Sequence, residues 1–323
     1  MQHLDEARRA AEQVLAEFLR GKSRNWRVLL IEDVLARLRM VLWCPKKDWD
    51  PSAEEIRQKL AEVSPAFWSG DVIQGSEPKK LPDGPWQAEA WEEARDVESA
   101  TKLRVLARHR AKTGWFEGPT EPPWALRKRE PAIVLFYSFK GGVGRSTALA
   151  AAALQLAAEG ERVVVLDADL DAPGVGSLLA GHDGATASWG IVDYLLERPL
   201  MDRAGLDLGD YFHRCPSSLV PGTGEILVFP VGTLDGGYLD KLARLDYGSP
   251  HDGREHPFTS LLQQVREELE PRWILVDARA GLGDASGFLT GGLCHLHLLI
   301  GTLADASWEG LALLLDRLGG QRD

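Results

Sequence analysis

The rhythm of apolar positions changes once along this chain, and the change divides it. Over residues 4–19, LDEARRAAEQVLAEFL, the positions Leu4, Ala11, Val14, Leu15, Phe18 and Leu19 recur at helical spacing and form one stripe. NWRVLLIED and RLRMVLWC then read as two strands, the second partly alternating. DPSAEEIRQKLAEV opens on a helix start signal and keeps helical periodicity. Together these predict a small α+β domain over residues 1–74. GSEPKKLPDGP interrupts the pattern, a tryptophan-bearing helical stretch follows, and EGPTEPPWALRKREP makes a second break. Residues 75–130 are therefore expected to be a linker and helical connection.

After Pro131 the texture is different. AIVLFYS is a continuous apolar run, the mark of a strand buried on both faces of a parallel sheet. The helix STALAAAALQLAAEG follows, then the strand RVVVLDAD. EILVFPVG, RWILVDAR and LHLLIGT are further strands, separated by helices such as FTSLLQQVREELE. Strands alternating with helices predict a right-handed, mainly parallel α/β sheet flanked by helices over residues 131–323. No internal repeat is visible.

Composition and charge narrow the picture. Apolar residues make up 44% and charged residues 26%, ordinary for a globular chain of 323 residues. No stretch has the roughly 18 apolar residues of a membrane span, and MQHLDEARRAAEQ has no secretory apolar core. Cys44, Cys215 and Cys294 lie far apart, which argues against a disulfide framework and for a reducing, cytoplasmic setting. Residues 1–130 carry 23 Lys/Arg against 22 Asp/Glu, while residues 131–323 carry 14 against 26. The acidic half repels polyanions, so nucleic-acid binding is not expected there. LRVLARHRAKTGW and Arg127–Arg129 are locally basic and read as solvated faces. Eight of the eleven tryptophans precede residue 131; buried packing is the plain reading, an aromatic partner-binding face the sharper one.

The chemistry gathers at YSFKGGVGRSTALA, residues 137–150. It has the order strand, glycine-rich loop, helix that a phosphate-binding loop requires. Gly141, Gly142 and Gly144 let backbone N–H groups converge on phosphate oxygens, and the helix start adds its positive end. Ser146 can give its hydroxyl to Mg²⁺, and Thr147 lies close enough to reach a phosphate. CHLH at 294–297 puts His295 and His297 on one strand face and Cys294 on the other, with no fourth ligand, so a metal site is not expected there.

KGGVGRST resembles the deviant Walker A motif, KGGxGK[ST], of the ParA/MinD family of P-loop ATPases. VVVLDADLDAPG resembles that family's Walker A′ and switch I segment, and RWILVDARAGLG its Walker B and switch II. The resemblance covers residues 131–318. It implies ATP and Mg²⁺ as cofactors, with Gly141, Gly142, Val143, Gly144, Arg145, Ser146 and Thr147 cradling nucleotide. It implies Ser146, Asp167 and Asp277 around the metal, with Asp169 orienting the attacking water. Gly281 would let the loop sense the γ-phosphate. It also implies a homodimer closed over nucleotide, in which Lys140 reaches the partner subunit's phosphates, and a sheet that continues beyond residue 323.

Arg145 departs from the motif, standing where the ordinary P-loop lysine would be. Arginine keeps the charge but replaces a compact ammonium with a longer planar fork, so binding should survive while transition-state geometry shifts. KGGVGR occurs as a variant within the family, alongside segments like DAPG and DARAG. Slow or partner-triggered hydrolysis and a non-hydrolysing binding module both remain open. Arg279 has two readings as well, a charge-stabilising finger or the partner of a nearby acid. Other branches of the superfamily fit less well. The five tyrosines are scattered rather than clustered at a tail, cluster cysteines are missing, and LALLLDRLGGQRD is not a basic amphipathic helix. The expected function is an ATP-driven switch signalling to a protein partner through residues 1–130, by analogy in a bacterial conflict or signalling system. A nucleotide-binding scaffold is the alternative. Residues 1–130 themselves carry no motif of known function.

Overall fold

The computed structural model describes residues 3–75, 84–98, 100–108, 111–180, 187–201, 205–248 and 255–319. The chain forms two compact units, Met1–Arg110 and Ala111–Asp323.

The first unit runs α1 (Leu4–Leu19), β1 (Arg27–Glu32), β2 (Leu38–Trp43), α2 (Trp49–Val63), β3 (Trp68–Gln74), α3 (Gly84–Glu93), β4 (Arg95–Val97) and β5 (Ala100–Ala107). Its five strands order as β3-β2-β1-β5-β4. β1 pairs antiparallel with β2 and parallel with β5. The apolar stripe of α1 buries Ala7, Ala11, Leu15, Phe18 and Leu19. Leu15, Val28, Leu30, Met40, Ile56 and Leu103 close one core, and Leu29, Val41, Trp43 and Leu106 form another cluster. Alternate residues of β1 thus point to opposite sides of the sheet.

The expected linker over 75–130 is corrected here. Its helical stretch exists as α3, but residues 95–107 supply two strands of the first sheet. The basic run LRVLARHR is not a purely solvated face either: Leu103, Val105 and Leu106 are buried, and Arg104 bonds Asp96 and the Trp91 carbonyl. The long basic side chains mask an alternating strand, because their charged heads reach water while their neighbours enter the core. Among the tryptophans before residue 131, Trp26, Trp43, Trp115 and Trp124 are buried, in keeping with packing.

The second unit continues with α4 (Thr113–Phe116), β6 (Ala132–Tyr137), α5 (Arg145–Ala158), β7 (Arg162–Ala168), α6 (Val175–Ala180), α7 (Ile191–Glu197), β8 (His213–Arg214) and β9 (Glu225–Phe229). It ends with α8 (Tyr238–Leu242), α9 (Pro257–Leu269), β10 (Trp273–Ala278), α10 (Asp284–Phe288), β11 (Leu296–Leu299) and α11 (Asp305–Gly319). The sheet order is β11-β6-β10-β7-β9-β8, parallel except for the edge strand β8. This is a mainly parallel α/β sheet flanked by helices. The continuous apolar run of β6 has its physical reason in two cores. Ile133, Leu135 and Tyr137 join one, while Val134 and Phe136 join the other with Leu149 and Ala153 of α5.

Candidate nucleotide-binding site

Three strands end side by side. β10 lies between β6 and β7, with Asp277 in register with Phe136 on one side and Asp167 on the other. The glycine loop leaves the end of β6, so it opens beside the Asp167 and Asp277 carboxylates. The C-terminal edge of a parallel sheet is where such folds bind ligands.

The loop has the backbone its glycines permit. Gly142 and Gly144 take φ of 73° and 87°, the left-handed region in which a Cβ is strained. A Cβ built on Gly141, Gly142 or Gly144 would meet nothing within 4 Å. The loop surface is therefore open above its backbone, as a phosphate cradle must be. Gly144 caps α5 from this left-handed geometry, and the helix starts at Arg145. Ser138, at the head of the loop, is buried, and its hydroxyl has no partner among the described residues.

Arg145 does not lie along the open loop. Its side chain is buried and joins three elements. Nε donates to Asp277 Oδ1 at 2.5 Å and Nη2 donates to Asp169 Oδ2 at 2.7 Å. Ser146 completes the set by donating its hydroxyl to Asp277 Oδ2 at 2.6 Å. The side chains of Arg145, Asp169 and Asp277 are 9%, 8% and 0% exposed, so water screens these charges little. Burial opposes the charge on Arg145, but the Asp277 and Asp169 carboxylates outweigh it and hold the guanidinium firmly protonated.

Asp167 is arranged differently. Its Oδ2 accepts the backbone N–H groups of Gly174 and Gly176, both at 3.1 Å, while its Oδ1 is buried and has no partner among the described residues. Burial first, with the Asp277 and Asp169 charges adding to it, pushes its pKa up to about 7 against the pull of those N–H groups.

The donor set fits a divalent cation. An orphaned carboxylate oxygen, a second carboxylate and a serine hydroxyl stand at the tips of adjacent elements. Among the described residues no group of three or more His, Cys, Asp or Glu side chains is placed to hold a metal alone. A cation here would therefore also need phosphate oxygens and water, which is how Mg²⁺ is commonly held with nucleotides.

The remaining expected residues fall as follows. Lys140 is exposed on the loop and, among the described residues, makes no ion pair; its ammonium stands 5.8 Å from the Phe139 ring centre. Val143 is half-buried and Thr147 exposed. Arg279 pairs with Asp171, which joins the loop after β10 to the loop after β7 and gives this arginine the partner-of-an-acid role. His295 is engaged on both ring nitrogens, accepting from Ile133 N and facing the Trp124 carbonyl.

Two residues that sequence reasoning passed over hold these loops. The Tyr137 hydroxyl donates to the Gly281 carbonyl at 3.1 Å, and Gly281 N donates back to Ser138 O at 3.1 Å. The Tyr238 hydroxyl donates to the Leu170 carbonyl at 2.8 Å. Each phenol reaches from the core to a backbone carbonyl in a loop beside the carboxylates. Nothing in the local pattern marks them: Tyr137 closes an apolar run and reads as packing, and Tyr238 stands in the glycine-rich stretch DGGYLDKL with no motif around it.

Residues 130–196 match the family model ParA, described as NUBPL iron-transfer P-loop NTPase. That stretch of the second unit is similar to the ParA family of P-loop NTPases. The matched stretch holds the glycine loop, Asp167 and Asp169, and ends before Asp277. Residues 2–68 match the model for the ACT2 domain of glutamate dehydrogenase. No curated protein matches the chain. Among solved structures, a plasmid partition protein of Borrelia burgdorferi is 17% identical at TM-score 0.43, over 59% of this chain and 73% of its own. The septum site-determining protein MinD of Pyrococcus horikoshii OT3, complexed with Mg-ADP, is 20% identical at TM-score 0.42, over 58% of this chain and 66% of its own. The kinase domain of the Escherichia coli tyrosine kinase ETK is 15% identical at TM-score 0.41, over 59% and 64%.

Proposed function

We propose that this chain is an ATP-binding, Mg²⁺-dependent switch of the ParA/MinD kind, with slow or partner-triggered hydrolysis. The observation that carries the reading is the convergence of Ser146, Asp167, Asp169 and Asp277 beside an open glycine loop. Residues 141–147 would bind the phosphates through backbone N–H groups and the start of α5. Ser146, Asp167 and Asp277 would hold Mg²⁺, directly or through water. Mg²⁺, when bound, supplies positive charge to the β- and γ-phosphates. Asp169 would orient the attacking water. Lys140, exposed on the loop, would serve the nucleotide of a second copy. The loops at 169–174 and 279–283 would respond to the γ-phosphate, and the N-terminal unit would report that response to a protein partner, by analogy in a conflict or signalling system.

One observation favours a second reading. Both carboxylates facing Arg145 are engaged by its guanidinium, Asp169 among them. A chain that kept this arrangement with ATP bound would be a scaffold that binds without hydrolysing.

The test is phosphate release from Mg·ATP by the purified chain at several protein concentrations, with Lys140→Ala and Asp169→Ala beside it. Turnover per subunit that rises with concentration and fails in both variants supports the switch. Tight ATP binding without release in the parent chain supports the scaffold, and no binding at all sinks both.

A further inference from the structure

Arg145 is bonded where a phosphate-binding side chain would not be expected to rest. Nε and Nη2, two of its three nitrogens, are bonded to carboxylates on two different strand tips. A lysine offers one nitrogen and could not reproduce that fork. Nη2 also lies 3.4 Å from the Ser146 hydroxyl, which is itself bonded to Asp277. The guanidinium thus ties the start of α5 to the ends of β7 and β10.

Accepting that the loop binds nucleotide, we propose that Arg145 is a two-position latch, held on Asp169 and Asp277 and drawn from Asp169 onto the phosphates when ATP binds. The two positions compete for one side chain. Asp169 would keep its second anchor, since Oδ1 accepts Ala172 N at 3.2 Å, and its Oδ2 would be released for water. The loop from Asp169 to Ala172 would be loosened on one side only. Both Arg145–carboxylate bonds join side chains less than a tenth exposed, so ATP must bind at the cost of the latched form, and the population of that form lowers the apparent affinity. The arginine in place of lysine then acts as a threshold on nucleotide binding, in addition to any effect on hydrolysis.

The test is a double-mutant cycle read by calorimetric ATP titration and by thermal midpoint without added nucleotide. It compares the parent chain, Asp169→Asn, Arg145→Ala and the double variant, with Arg145→Lys as a second background should Arg145→Ala fail to fold. Asp169→Asn weakens the latch, so ATP should bind more tightly while the midpoint without nucleotide falls. Removing one negative charge near phosphate also tightens binding through space, and the Arg145→Ala background isolates that contribution. The gain in the parent background should exceed the gain in the Arg145→Ala background by about fivefold, within the coupling seen for contacting charged pairs. Equal or larger gains without Arg145 would overturn the latch alone and leave the nucleotide reading intact. Failure of the parent chain to bind ATP would overturn the nucleotide reading, and the latch with it.

Discussion

Trp115 donates its indole N–H to the Gly283 carbonyl at 2.7 Å, and its ring lies against Gly287. Two residues of the loop and helix after Asp277 are therefore held by one side chain from α4. Lys112 adds a bond to the Leu282 carbonyl at 2.5 Å. The loop after Asp277 is thus anchored on both sides, by Tyr137 at the end of β6 with Ser138 just after it, and by Lys112 and Trp115 from the α4 segment.

Trp115→Phe keeps most of the ring and removes the N–H. Leaving the Gly283 carbonyl without that donor should cost about 1 kcal/mol of stability. Gly287→Ala should cost more, about 1–3 kcal/mol, because overpacking must move backbone or ring. Its Cβ would stand 2.4 Å from the Trp115 ring. Urea unfolding of the two variants beside the parent checks the order of the two effects.

The loop glycines separate fold from binding. Gly144→Ala should lower stability by about 1 kcal/mol through backbone strain at positive φ. Gly141→Ala meets no neighbour within 4 Å and has no positive φ, so its thermal midpoint should match the parent's. Its methyl group would instead occupy the open loop surface, and ATP affinity should fall about tenfold or more as backbone N–H groups lose their approach to phosphate. A Gly141→Ala chain that binds ATP like the parent would remove the loop from the binding site.

Lys140 should be indifferent to stability. It is exposed and makes no ion pair among the described residues, so Lys140→Ala should change unfolding free energy by less than about 0.5 kcal/mol. Phosphate release should nevertheless be abolished if Lys140 serves a second copy. Mixing Lys140→Ala chains with Asp169→Ala chains should then restore part of the activity, since one mixed site would hold both intact residues. No recovery on mixing would place Lys140 in its own subunit's site.

His256 sets a pH dependence away from the acidic site. Its Nδ1 accepts Phe258 N at 3.1 Å, capping α9, and its Nε2 faces the Asp246 carbonyl at 3.2 Å. Burial pushes its pKa from 6.5 down to about 4. The unfolded chain therefore takes up the proton first as pH falls. The stability of the neutral ring is full above about pH 6.5 and is lost toward pH 4, at up to about 1.4 kcal/mol per pH unit. His256→Asn keeps a capping acceptor without titrating. Its thermal midpoint should fall less between pH 7.5 and 5.5 than the parent's, and equal falls would exclude His256 as the source.

Much of the second unit was legible in its amino acids. The runs AIVLFY, RVVVLDA and WILVDA become β6, β7 and β10 because only a strand buried on both faces carries uninterrupted apolar residues. The first unit was read less completely. Residues 95–107 became strands against the expected helical connection, since short segments with charged residues between apolar ones are settled by the sheet edge they complete.

The sequence by itself determined that a glycine loop would follow one buried strand and that acids would end two others, because local geometry and burial pattern suffice for both. It also determined that residue 145 would be a cation. Only the tertiary structure decided what that cation touches. Asp277 lies 132 residues away along the chain from Arg145, and they meet because β10 inserts between β6 and β7. Strand order is settled by packing across the whole sheet, so no local pattern could have told whether the guanidinium would rest on the loop or on the carboxylates beside it.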